Sequence, residues 1–551
     1  MKFYILATLL TLALFSADSA AINEQDFFDK RTALIIKHSH HDKTFEALQQ
    51  EESFSREYWR WRVDQYMYGQ YPEFQAIYDA YTEGKTFLQI YDLPEEQLGP
   101  EWQEPNRLPE IPQGDFSGNL PGNAHTGWHK LVGDKLYITY QGHLTDPYVA
   151  SYDLKSHKWD GPYKAGHSTL SKDGRKIDSH GRPIIEVDSQ GYIHIIFGGH
   201  GGEREDGLNP LSIDTPHAGG RMIHVVSTKP HDLSEFVEKD DISPFASYTK
   251  SYQMANGDIY FFTRAGTHKS PWLYYKMKNG SQTFEPPVKI TWPTVHQDNP
   301  ILVDTFYINP LKVSDTEIVI TSLWHECNFK EEHNKTHYNR LNAYFMRLDT
   351  TTDTFYNIQN KALDLPVTLA AANRYTLAYD SEAAKETSFG TRPLVLKDGS
   401  YALAYEARGE GYREWRMASF NDGTWQHGQP MPGTANRRLL DTRGNDIKAI
   451  QSLEALTANN GIANAVVVYK NAKGESVFAL ARSIDSTDKP EDETKETWML
   501  TDEYFKVAGA RIELQTVKGQ TDENIAFVLN VRKGASQRLY LWHEGKIRSR
   551  Y

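Results

Sequence analysis

The side chains best suited to acid–base chemistry lie at the two ends of one predicted hairpin. Two runs rich in β-branched and aromatic residues, 183–187 and 192–197, are separated by turn residues, which predicts antiparallel strands. Folding the segment about residue 190 places His180 opposite His200. Imidazole titrates near neutral pH, so this pair is a candidate site for proton transfer. The alternative is a pair of hydrogen-bonded loop histidines.

A second predicted hairpin offers a tyrosine and an arginine at its open end. Asn256-Gly257 lies between two apolar runs, and Asn-Gly favours a type I′ turn because both central residues take positive φ. Tyr248 and Arg264 are equidistant from Asn256 and are expected to meet. If both hairpins belong to neighbouring sheets of the same orientation, all four side chains converge on one face.

Similar turns recur along the chain and predict a repeated architecture. They lie between apolar strands at seven places: Gly133-Asp134, Gln190-Gly191, Asn256-Gly257, Ser314-Asp315, Asp398-Gly399, Asn460-Gly461 and 522–524. Their spacing of roughly 55 to 85 residues exceeds that of short propeller repeats, but a four-stranded blade with long loops fills it. The predicted fold class is all-β, a seven-bladed β-propeller preceded by a small helical N-terminal segment.

The amino-terminal segment predicts export. An apolar run over 4–15 is followed by Ala17 and Ser19, whose small-x-small pattern is typical of a cleavage site. We therefore expect a signal peptide over 1–19. The apolar run is too short for a stable membrane anchor, so a secreted or periplasmic protein without a membrane partner is expected.

Composition divides the rest of the chain in two. After the signal peptide, glutamates and aromatic residues at helical spacing predict a helical leader, and a proline-rich stretch predicts a linker. We assign 22–110 to this helical leader and Pro-rich linker. The segment 111–551 is assigned to the propeller as the catalytic domain.

The charge of the 551-residue chain limits its partners. A formal net charge of −13 argues against nucleic acid, because no broad basic surface is available for phosphate contacts. An anionic substrate would need a local basic site, such as Arg264 with Lys250 and Lys269. A monomer is expected.

The single cysteine lies within a histidine cluster. Cys327 cannot form an intramolecular disulfide, and His325, His333 and His337 lie close to it in sequence. Zinc favours thiolate and imidazole ligands in tetrahedral geometry, and a site with four protein ligands is closed and structural. The cluster predicts structural Zn²⁺, although its spacing is not that of a known zinc finger. The alternative is a buried free thiol beside solvated histidines.

Further residues are candidates for substrate binding. His125 and His143 mirror each other about the first turn and could extend a binding groove. Arg392 and Arg408 are expected to be similarly placed about the turn at 398–399, where they could contact sulfates. Solvated charges at the rim of the fold are the alternative for both arginines.

Together these features resemble a known enzyme family. The hairpin ending in Phe197-Gly-Gly-His200, the Tyr248 to Arg264 hairpin, Tyr307 in a third such unit and the following cysteine–histidine cluster are similar to propeller polysaccharide lyases that cleave ulvan. Polysaccharide lyase family 25 is the closer match, and family 24 is a near relative. The resemblance covers the chain from about residue 110 onward and leaves the helical leader unassigned.

The resemblance implies β-elimination on a sulfated polysaccharide of rhamnose and uronic acid. The C5 proton of the uronate is removed while the oxygen at C4 leaves, which gives an unsaturated uronyl product. Arg264, assisted by His200, would neutralise the carboxylate, and Tyr248 would give a proton to the leaving oxygen. For Tyr248 also to act as the base, Arg264 would have to lower its pKa from about 10.

The two uronate epimers explain why the site would need two bases. In glucuronate the C5 proton and the leaving group lie on the same side, so Tyr248 could serve as both base and acid. In iduronate the proton lies on the opposite face, and His180 would be the base. Tyr307 would support the substrate carboxylate or Tyr248 by a hydrogen bond.

Two other function classes remain open. A glycoside hydrolase of the sialidase type would carry Ser-x-Asp-x-Gly-x-x-Trp boxes, and the partial match that begins at Ser171 lacks the later glycine and tryptophan. A non-catalytic polysaccharide-binding propeller would use the same aromatic and arginine side chains. The fold alone does not decide between these functions.

Overall fold

The computed structural model is an all-β protein with few helices, as predicted. It describes the following residues: 22–39, 72–82, 120–121, 126–142, 145–170, 178, 180–211, 219–295, 303–330, 335–396, 398–430, 437–447, 450–455, 464–484, 496–515, 517–519, 526–533 and 536–548. The predicted signal peptide and most of the predicted linker lie outside these ranges.

Three α-helices occur within these ranges: α1 (Glu24–Ser39), α2 (Pro72–Thr82) and α3 (Leu369–Tyr375). The first two fall in the segment predicted as a helical leader, and they pack through stacked rings of Phe27 and Tyr81 at 4.0 Å. An ion pair between Lys37 and Glu73 at 3.0 Å adds a polar contact. None of the described helices has the length and apolarity needed to cross a bilayer.

The described strands form seven sheets, which we number in chain order. Sheet 1 has four strands: β2 (Thr126–Val132), β3 (Lys135–Gln141), β4 (Pro147–Asp153) and β5 (Trp159–Lys164). Sheet 2 has four strands: β6 (Ile184–Val187), β7 (Ile193–Phe197), β8 (Ile223–Ser227) and β9 (Phe236–Lys239). Sheet 3 has four strands: β10 (Ser247–Gln253), β11 (Ile259–Arg264), β12 (Trp272–Met277) and β13 (Val288–Lys289). Each of these sheets is built from consecutive antiparallel strands.

Sheet 4 contains β14 (Thr294–Val295), β15 (Val303–Lys312), β16 (Glu317–Lys330), β17 (Lys335–Asp349), β18 (Thr354–Tyr356) and β19 (Leu377–Tyr379). Sheet 5 contains β20 (Thr387–Val395), β21 (Tyr401–Gly409), β22 (Tyr412–Asn421) and β23 (Thr424–Pro430). Sheet 5 follows the plan of sheets 1 to 3, and sheet 4 does so for its first five strands, while its sixth strand, β19, pairs with β17.

Sheets 6 and 7 complete the described fold. Sheet 6 contains β24 (Arg437–Leu440), β25 (Asp446–Ile447), β26 (Ile450–Ala455), β27 (Asn464–Lys470), β28 (Ser476–Ser483) and β29 (Glu496–Val507). Sheet 7 contains β30 (Arg511–Gln515), β31 (Ala526–Lys533), β32 (Ser536–His543), β33 (Lys546–Arg548) and the early strand β1 (Leu120–Pro121). Leu120 of β1 pairs with Gln537 of β32, so a segment that precedes sheet 1 is part of sheet 7.

Each of the seven predicted turns lies between two strands that pair with each other. The paired strands are β2 and β3, β6 and β7, β10 and β11, β15 and β16, β20 and β21, β26 and β27, and β30 and β31. At the Asn256-Gly257 turn, Gly257 takes φ +88° and its N–H donates to the Met254 carbonyl. The residues of the last two turns lie outside the described ranges.

The apolar core lies between adjacent sheets. Phe262 of sheet 3 belongs to the same buried cluster as Phe306 and Trp324 of sheet 4. Full burial of such side chains contributes about 1.5–3 kcal/mol each. This packing fixes neighbouring sheets against one another and therefore fixes the strand ends that carry polar side chains.

Candidate active site

The β6–β7 hairpin brings His180 and His200 together. The register pairs Ile184 with Ile196 and Val187 with Ile193, which is the pairing that folding about residue 190 predicts. The two imidazole rings stack with centroids 3.6 Å apart and planes 10° from parallel.

A carboxylate that sequence reasoning missed holds both rings. Asp178 accepts hydrogen bonds from Nδ1 of His180 and, at 2.7 Å, from Nδ1 of His200. The Asp178 carboxylate also accepts the backbone N–H of His180 at 2.9 Å. An ionised carboxylate only accepts hydrogen bonds, so both rings carry a proton on Nδ1, and the lone pair of a neutral ring then lies on Nε2.

The two hairpins are locked side by side by backbone contacts. The N–H of Tyr248 donates to the His180 carbonyl at 2.7 Å, and His200 forms a β-bridge with Ser247. A Cβ at Gly199 would lie 2.0 Å from the Ala246 carbonyl oxygen, so this close approach requires glycine. The Gly-Gly-His sequence thus sets the distance between sheets 2 and 3.

A β-bulge places Tyr248 at the centre of the site. The register pairs Lys250 with Phe262 but Ser247 with Arg264, so a bulge shifts Tyr248 out of direct register with Arg264, although the two side chains meet as predicted. Tyr248 takes φ +63°, a left-handed conformation that is uncommon for a bulky residue. Bulges re-aim side chains in this way, and here the Tyr248 ring reaches both His180 and Arg264.

Arg264 lies beneath two tyrosine rings. Its Cζ is 4.8 Å from the Tyr248 ring centroid and 5.5 Å from that of Tyr307. Its Nη1 donates to Tyr307 Oη at 2.9 Å, and its Nε donates to the Gly266 carbonyl at 3.0 Å and to Ser247 Oγ at 3.2 Å. The side chain is 1% exposed, so this positive charge is fixed and poorly screened by solvent.

The protonation states follow from burial and from these contacts. Burial alone would raise the pKa of Asp178, but hydrogen bonds from His180 and His200 hold it well below its usual range. Burial lowers the pKa of His200, and the hydrogen bond to Asp178 opposes that effect only in part. At neutral pH the site therefore holds a carboxylate and a neutral His200.

Arg264 does not lower the pKa of Tyr248 below its usual value. Burial raises the pKa of Tyr248, and the positive charge of Arg264 opposes this increase without reversing it. The lowered pKa that Tyr248 would need in order to act as a base is therefore not found, because desolvation of the phenolate exceeds the attraction of the cation. Tyr248 enters any reaction as a neutral phenol.

Arg340 and Trp272 also border the site, and sequence reasoning missed both. The Arg340 guanidinium lies 4.4 Å from the Tyr307 ring centroid, and Trp272 stacks on Tyr248 at 5.7 Å. Arg340 comes from β17 and Trp272 from β12. Neither has a local sequence signal, because only the packing of sheets 3 and 4 brings them here.

Of the predicted zinc ligands, only His325 has a described side chain. It is buried beside Tyr307, with ring centroids 4.9 Å apart, and burial lowers its pKa to about 3. In the β16–β17 register Cys327 pairs with Tyr338, and His337 pairs with Asn328. The side chains of Cys327 and His337, and all of His333, lie outside the described residues.

The predicted substrate-binding residues have different outcomes. Tyr307 lies in the site. Arg392 and Arg408 do not mirror each other, because the register pairs Arg392 with Ala404 and Arg408 with Thr387. The pairing of β20 with β21 is symmetric about residue 398, and a bulge shifts it farther from the turn. The expectation that the two arginines are similarly placed about the turn is therefore wrong.

Each of these two arginines lies over a different aromatic ring. Arg392 lies 5.0 Å from the Trp415 ring centroid and Arg408 lies 3.9 Å from that of Phe389. The other predicted pair, His125 and His143, lies outside the described residues.

Known proteins resemble part of this chain. It is 38% identical over 247 residues to an ulvan lyase of Nonlabens ulvanivorans, covering 44% of this chain and 52% of that protein. It is 37% identical over 251 residues to "Ulvan Lyase-PL25" of Pseudoalteromonas sp. (strain PLSV), covering 44% and 50%. The chain thus spans about half the length of the curated relatives it matches.

Solved structures agree with this resemblance. A structure described as a polysaccharide lyase of family PL25, an ulvan lyase, superposes with a TM-score of 0.63 at 25% identity, over 80% of this chain and 98% of that chain. A second structure of such a lyase, bound to -[GlcA(1-4)Rha3S]-, matches to the same extent. The predicted resemblance to family 25 ulvan lyases is confirmed.

A family profile gives the assignment. Residues 135–430 match the profile described as "BNR repeat-containing family member". That stretch exceeds half of the chain and includes His180, His200, Tyr248, Arg264 and Tyr307. The protein therefore belongs to the BNR repeat-containing family.

Proposed function

We propose that this protein is a polysaccharide lyase that cleaves ulvan by β-elimination at the uronate. The observation that carries the proposal is the convergence of two imidazoles on one carboxylate beside Tyr248 and Arg264. The site thus combines proton acceptors, a proton donor and a buried cation. Elimination next to a carboxylate needs all three groups, because the C5 proton is very weakly acidic.

Tyr248 is the proposed acid. Its raised pKa keeps the proton on the phenol at neutral pH, where it is available to the departing O4 atom. The electron pair of the breaking C5–H bond forms the C4–C5 double bond, and the C4–O4 bond electrons leave with O4. The Tyr248 proton neutralises that oxygen, so the step produces an unsaturated uronate and a free hydroxyl.

The stacked histidines supply the proposed bases. With Nδ1 of each ring donating to Asp178, each Nε2 lone pair is free to accept a proton. For iduronate, His180 takes the C5 proton from the face opposite the leaving group. For glucuronate, Tyr248 first passes its proton to an imidazole, then takes the C5 proton as phenolate and delivers that proton to O4. The imidazolium afterwards gives its proton back to Tyr248.

Arg264 is the proposed electrostatic stabiliser. It is held on three sides by Ser247, Gly266 and Tyr307, so it need not reorganise as negative charge develops on the uronate carboxylate. A pre-positioned cation in a poorly hydrated site is a large contribution to catalysis of this kind. Tyr307, whose Oη accepts from Arg264, assists by donating its own proton to the same carboxylate, and His200 does so once its Nε2 has taken up a proton.

The proposed substrate rests on the relatives. The curated proteins that match are ulvan lyases, and one structural neighbour holds a disaccharide unit of glucuronate and sulfated rhamnose. Arg392 is a proposed contact for the polysaccharide, as are His125 and His143. No nucleic acid or membrane partner is proposed, and we propose an exported monomer.

We also propose that the seven described sheets are the blades of a closed propeller. Two observations support this architecture. Each sheet contains an antiparallel pair of strands joined at a predicted turn, and β1 joins the last sheet from the opposite end of the described β-structure. A strand exchanged between the chain ends would close the ring and protect its edges.

A structural zinc ion is proposed for the cysteine–histidine cluster. Thiolate and imidazole are the donors that Zn²⁺ prefers, and residues 325–337 supply one thiol and three imidazoles. His325, Cys327, His333 and His337 would hold the ion. It would stabilise the strand ends beside Tyr307.

Ultraviolet absorbance on adding ulvan tests the proposed activity. Elimination creates a conjugated unsaturated uronate, whereas hydrolysis and simple binding create none. We expect a steady rise in absorbance with the wild-type protein. New reducing ends without that rise would indicate a glycoside hydrolase, and retention of ulvan without either signal would indicate a binding protein.

A further inference from the structure

A second cluster of metal-binding side chains lies where sheets 1 and 7 meet, away from the candidate active site. His157 is in the turn between β4 and β5, His543 ends β32, and Glu544 is in the turn between β32 and β33. His157 Nε2 is 3.8 Å from Glu544 Oε2, and His543 Nδ1 is 4.0 Å from the same oxygen. One ligand atom from each residue lies within 4.8 Å of the other two.

His543 is the most informative member of this cluster. Its side chain is 3% exposed, and its buried Nδ1 has no hydrogen-bond partner among the described residues. Leaving a buried polar atom unsatisfied costs about 1–3 kcal/mol, so such an atom needs an explanation. The nearest oppositely charged atom is the Glu544 carboxylate oxygen, which lies beyond hydrogen-bond distance.

His157 is oriented in the way that metal-ligating histidines are. Its Nδ1 is 3.0 Å from Oη of Tyr152, a residue that is 1% exposed. If Nδ1–H donates to this hydroxyl, the Nε2 lone pair points toward Glu544. The Tyr152 ring also contacts His543, so one tyrosine fixes both imidazoles.

We propose that His157, His543 and Glu544 bind a divalent transition-metal ion, with zinc the best match to two imidazoles and one carboxylate. Zinc holds such ligands at about 2.0–2.2 Å, which places neighbouring ligand atoms about 3.4 Å apart in a tetrahedral site. The observed separations need only small side-chain shifts to reach that geometry. Water would complete the coordination, because His157 and Glu544 are exposed at 42% and 61%.

Arg548 competes with the metal for the carboxylate. Its Nη2 donates to Glu544 Oε2 at 2.7 Å, which is the oxygen that both histidines face. Metal binding must share or displace this contact, and the nearby positive charge weakens affinity for a cation. Removing the charge of Arg548 should therefore tighten metal binding.

The cluster at Asp178 meets the same distance criterion but is not a comparable site. There the carboxylate already accepts hydrogen bonds from Nδ1 of both histidines, so the carboxylate and both Nδ1 atoms have partners. At the sheet 1 and sheet 7 contact, no such direct bond joins the histidines to the carboxylate. A metal ion there would link two sheets that are distant in sequence.

The test compares metal content in the full-length protein and in a His157→Asn variant. His157 takes φ +57°, and asparagine tolerates this conformation, so the turn should persist. We expect bound zinc to fall by one ion per chain in His157→Asn. The exposed His427 provides a control, and His427→Asn should retain the full zinc content.

Cobalt substitution distinguishes this site from the proposed cysteine site. A cysteine-containing site gives thiolate-to-cobalt charge transfer, whereas a site with two histidines and one glutamate gives only ligand-field bands. We expect His157→Asn to lose ligand-field intensity while the thiolate band persists, and Arg548→Gln to bind zinc more tightly. Unchanged zinc content in His157→Asn, or an equal loss in His427→Asn, would overturn the proposal.

Discussion

His180 and His200 lie ring against ring, with centroids 3.6 Å apart and planes 10° from parallel. At that distance a positive charge on one ring disfavours a positive charge on the other. Asp178 reinforces this arrangement because it accepts from both rings at once. The pair therefore behaves as one coupled proton acceptor rather than as two independent histidines.

Replacing Tyr248 with phenylalanine tests the proposed acid. Tyr248→Phe keeps the ring that stacks on Trp272 but removes the phenolic proton. We expect the rate of elimination to fall by at least ~10²-fold on both epimers, as is typical for loss of an acid or base group. The initial rise in ultraviolet absorbance measures it. Tyr163→Phe, at an exposed position, is the matched control, and near wild-type turnover in folded Tyr248→Phe would remove Tyr248 from the mechanism.

The assignment of His180 as the iduronate base predicts a difference between epimers. His180→Ala removes the acceptor on the face opposite the leaving group, so iduronate cleavage should fall more than glucuronate cleavage. Rates on defined oligosaccharides that contain a single type of uronate would measure this difference. Equal losses on the two substrates would contradict the division of roles.

Asp178 is predicted to be a positioning residue. In Asp178→Asn the amide nitrogen faces one imidazole Nδ1 and forces that ring to carry its proton on Nε2, which removes one acceptor. We expect kcat to fall by ~10²-fold or more. The acidic limb of the pH–rate profile should also move to lower pH, because the bond to Asp178 raises the pKa of His200.

Asp502→Asn, at an exposed position, is the control for that substitution. A merely structural role for Asp178 would lower the melting temperature and leave the pH profile in place. That outcome would contradict the positioning role.

Buried neutral histidines predict loss of stability in acid. Burial lowers the pKa of His129 from 6.5 to about 3, so below pH 6.5 the unfolded chain binds a proton that the folded chain does not. The stabilisation is complete above 6.5 and is lost as pH falls toward 3. We expect the free energy of unfolding, measured with urea across this range, to decrease steadily. His129→Leu should reduce the slope by about one proton, and an unchanged slope would show that His129 is protonated in the fold.

The proposed zinc site predicts a separation of stability from turnover. Cys327→Ser replaces a thiolate with a poor zinc ligand, so bound zinc and the melting temperature should both fall. A closed site takes no part in the chemistry, so the folded fraction should keep its turnover. Elemental analysis and thermal unfolding of freshly purified protein test this. Normal zinc content with an unchanged melting curve in Cys327→Ser would reduce the cluster to ordinary loop residues.

The hairpins of the site could be predicted because their determinants are local. Turn residues between β-branched runs fix both the strand pairing and its centre, and this placed His180 opposite His200. The same reasoning brought Tyr248 and Arg264 together, although it did not reveal the bulge that shifts the register there. Mirror symmetry about a turn also failed for Arg392 and Arg408, because the pairing is centred elsewhere and is then shifted.

The remaining parts of the site depend on packing that one sequence does not reveal. Asp178 lies outside the strands, two residues before His180, and only the stacked rings identify it as a shared acceptor. An acidic residue two positions before a candidate histidine was the one available signal. Arg340 and Trp272 reach the site from separate sheets, and the Tyr248 pKa depends on burial that only the folded structure defines.

The pairing of Leu120 with Gln537 joins segments that are far apart in sequence, whereas the site is built from hairpins that are close in sequence. The hairpins that carry His180, Tyr248 and Tyr307 are neighbours along the chain, so during synthesis they can dock before the later sheets emerge. The β1–β32 contact can form only after β32 has been synthesised. Contacts between segments so far apart in sequence form slowly. Substitutions in the β1–β32 contact should therefore slow the final folding step and speed unfolding. The molecules that do fold should turn over substrate at the normal rate.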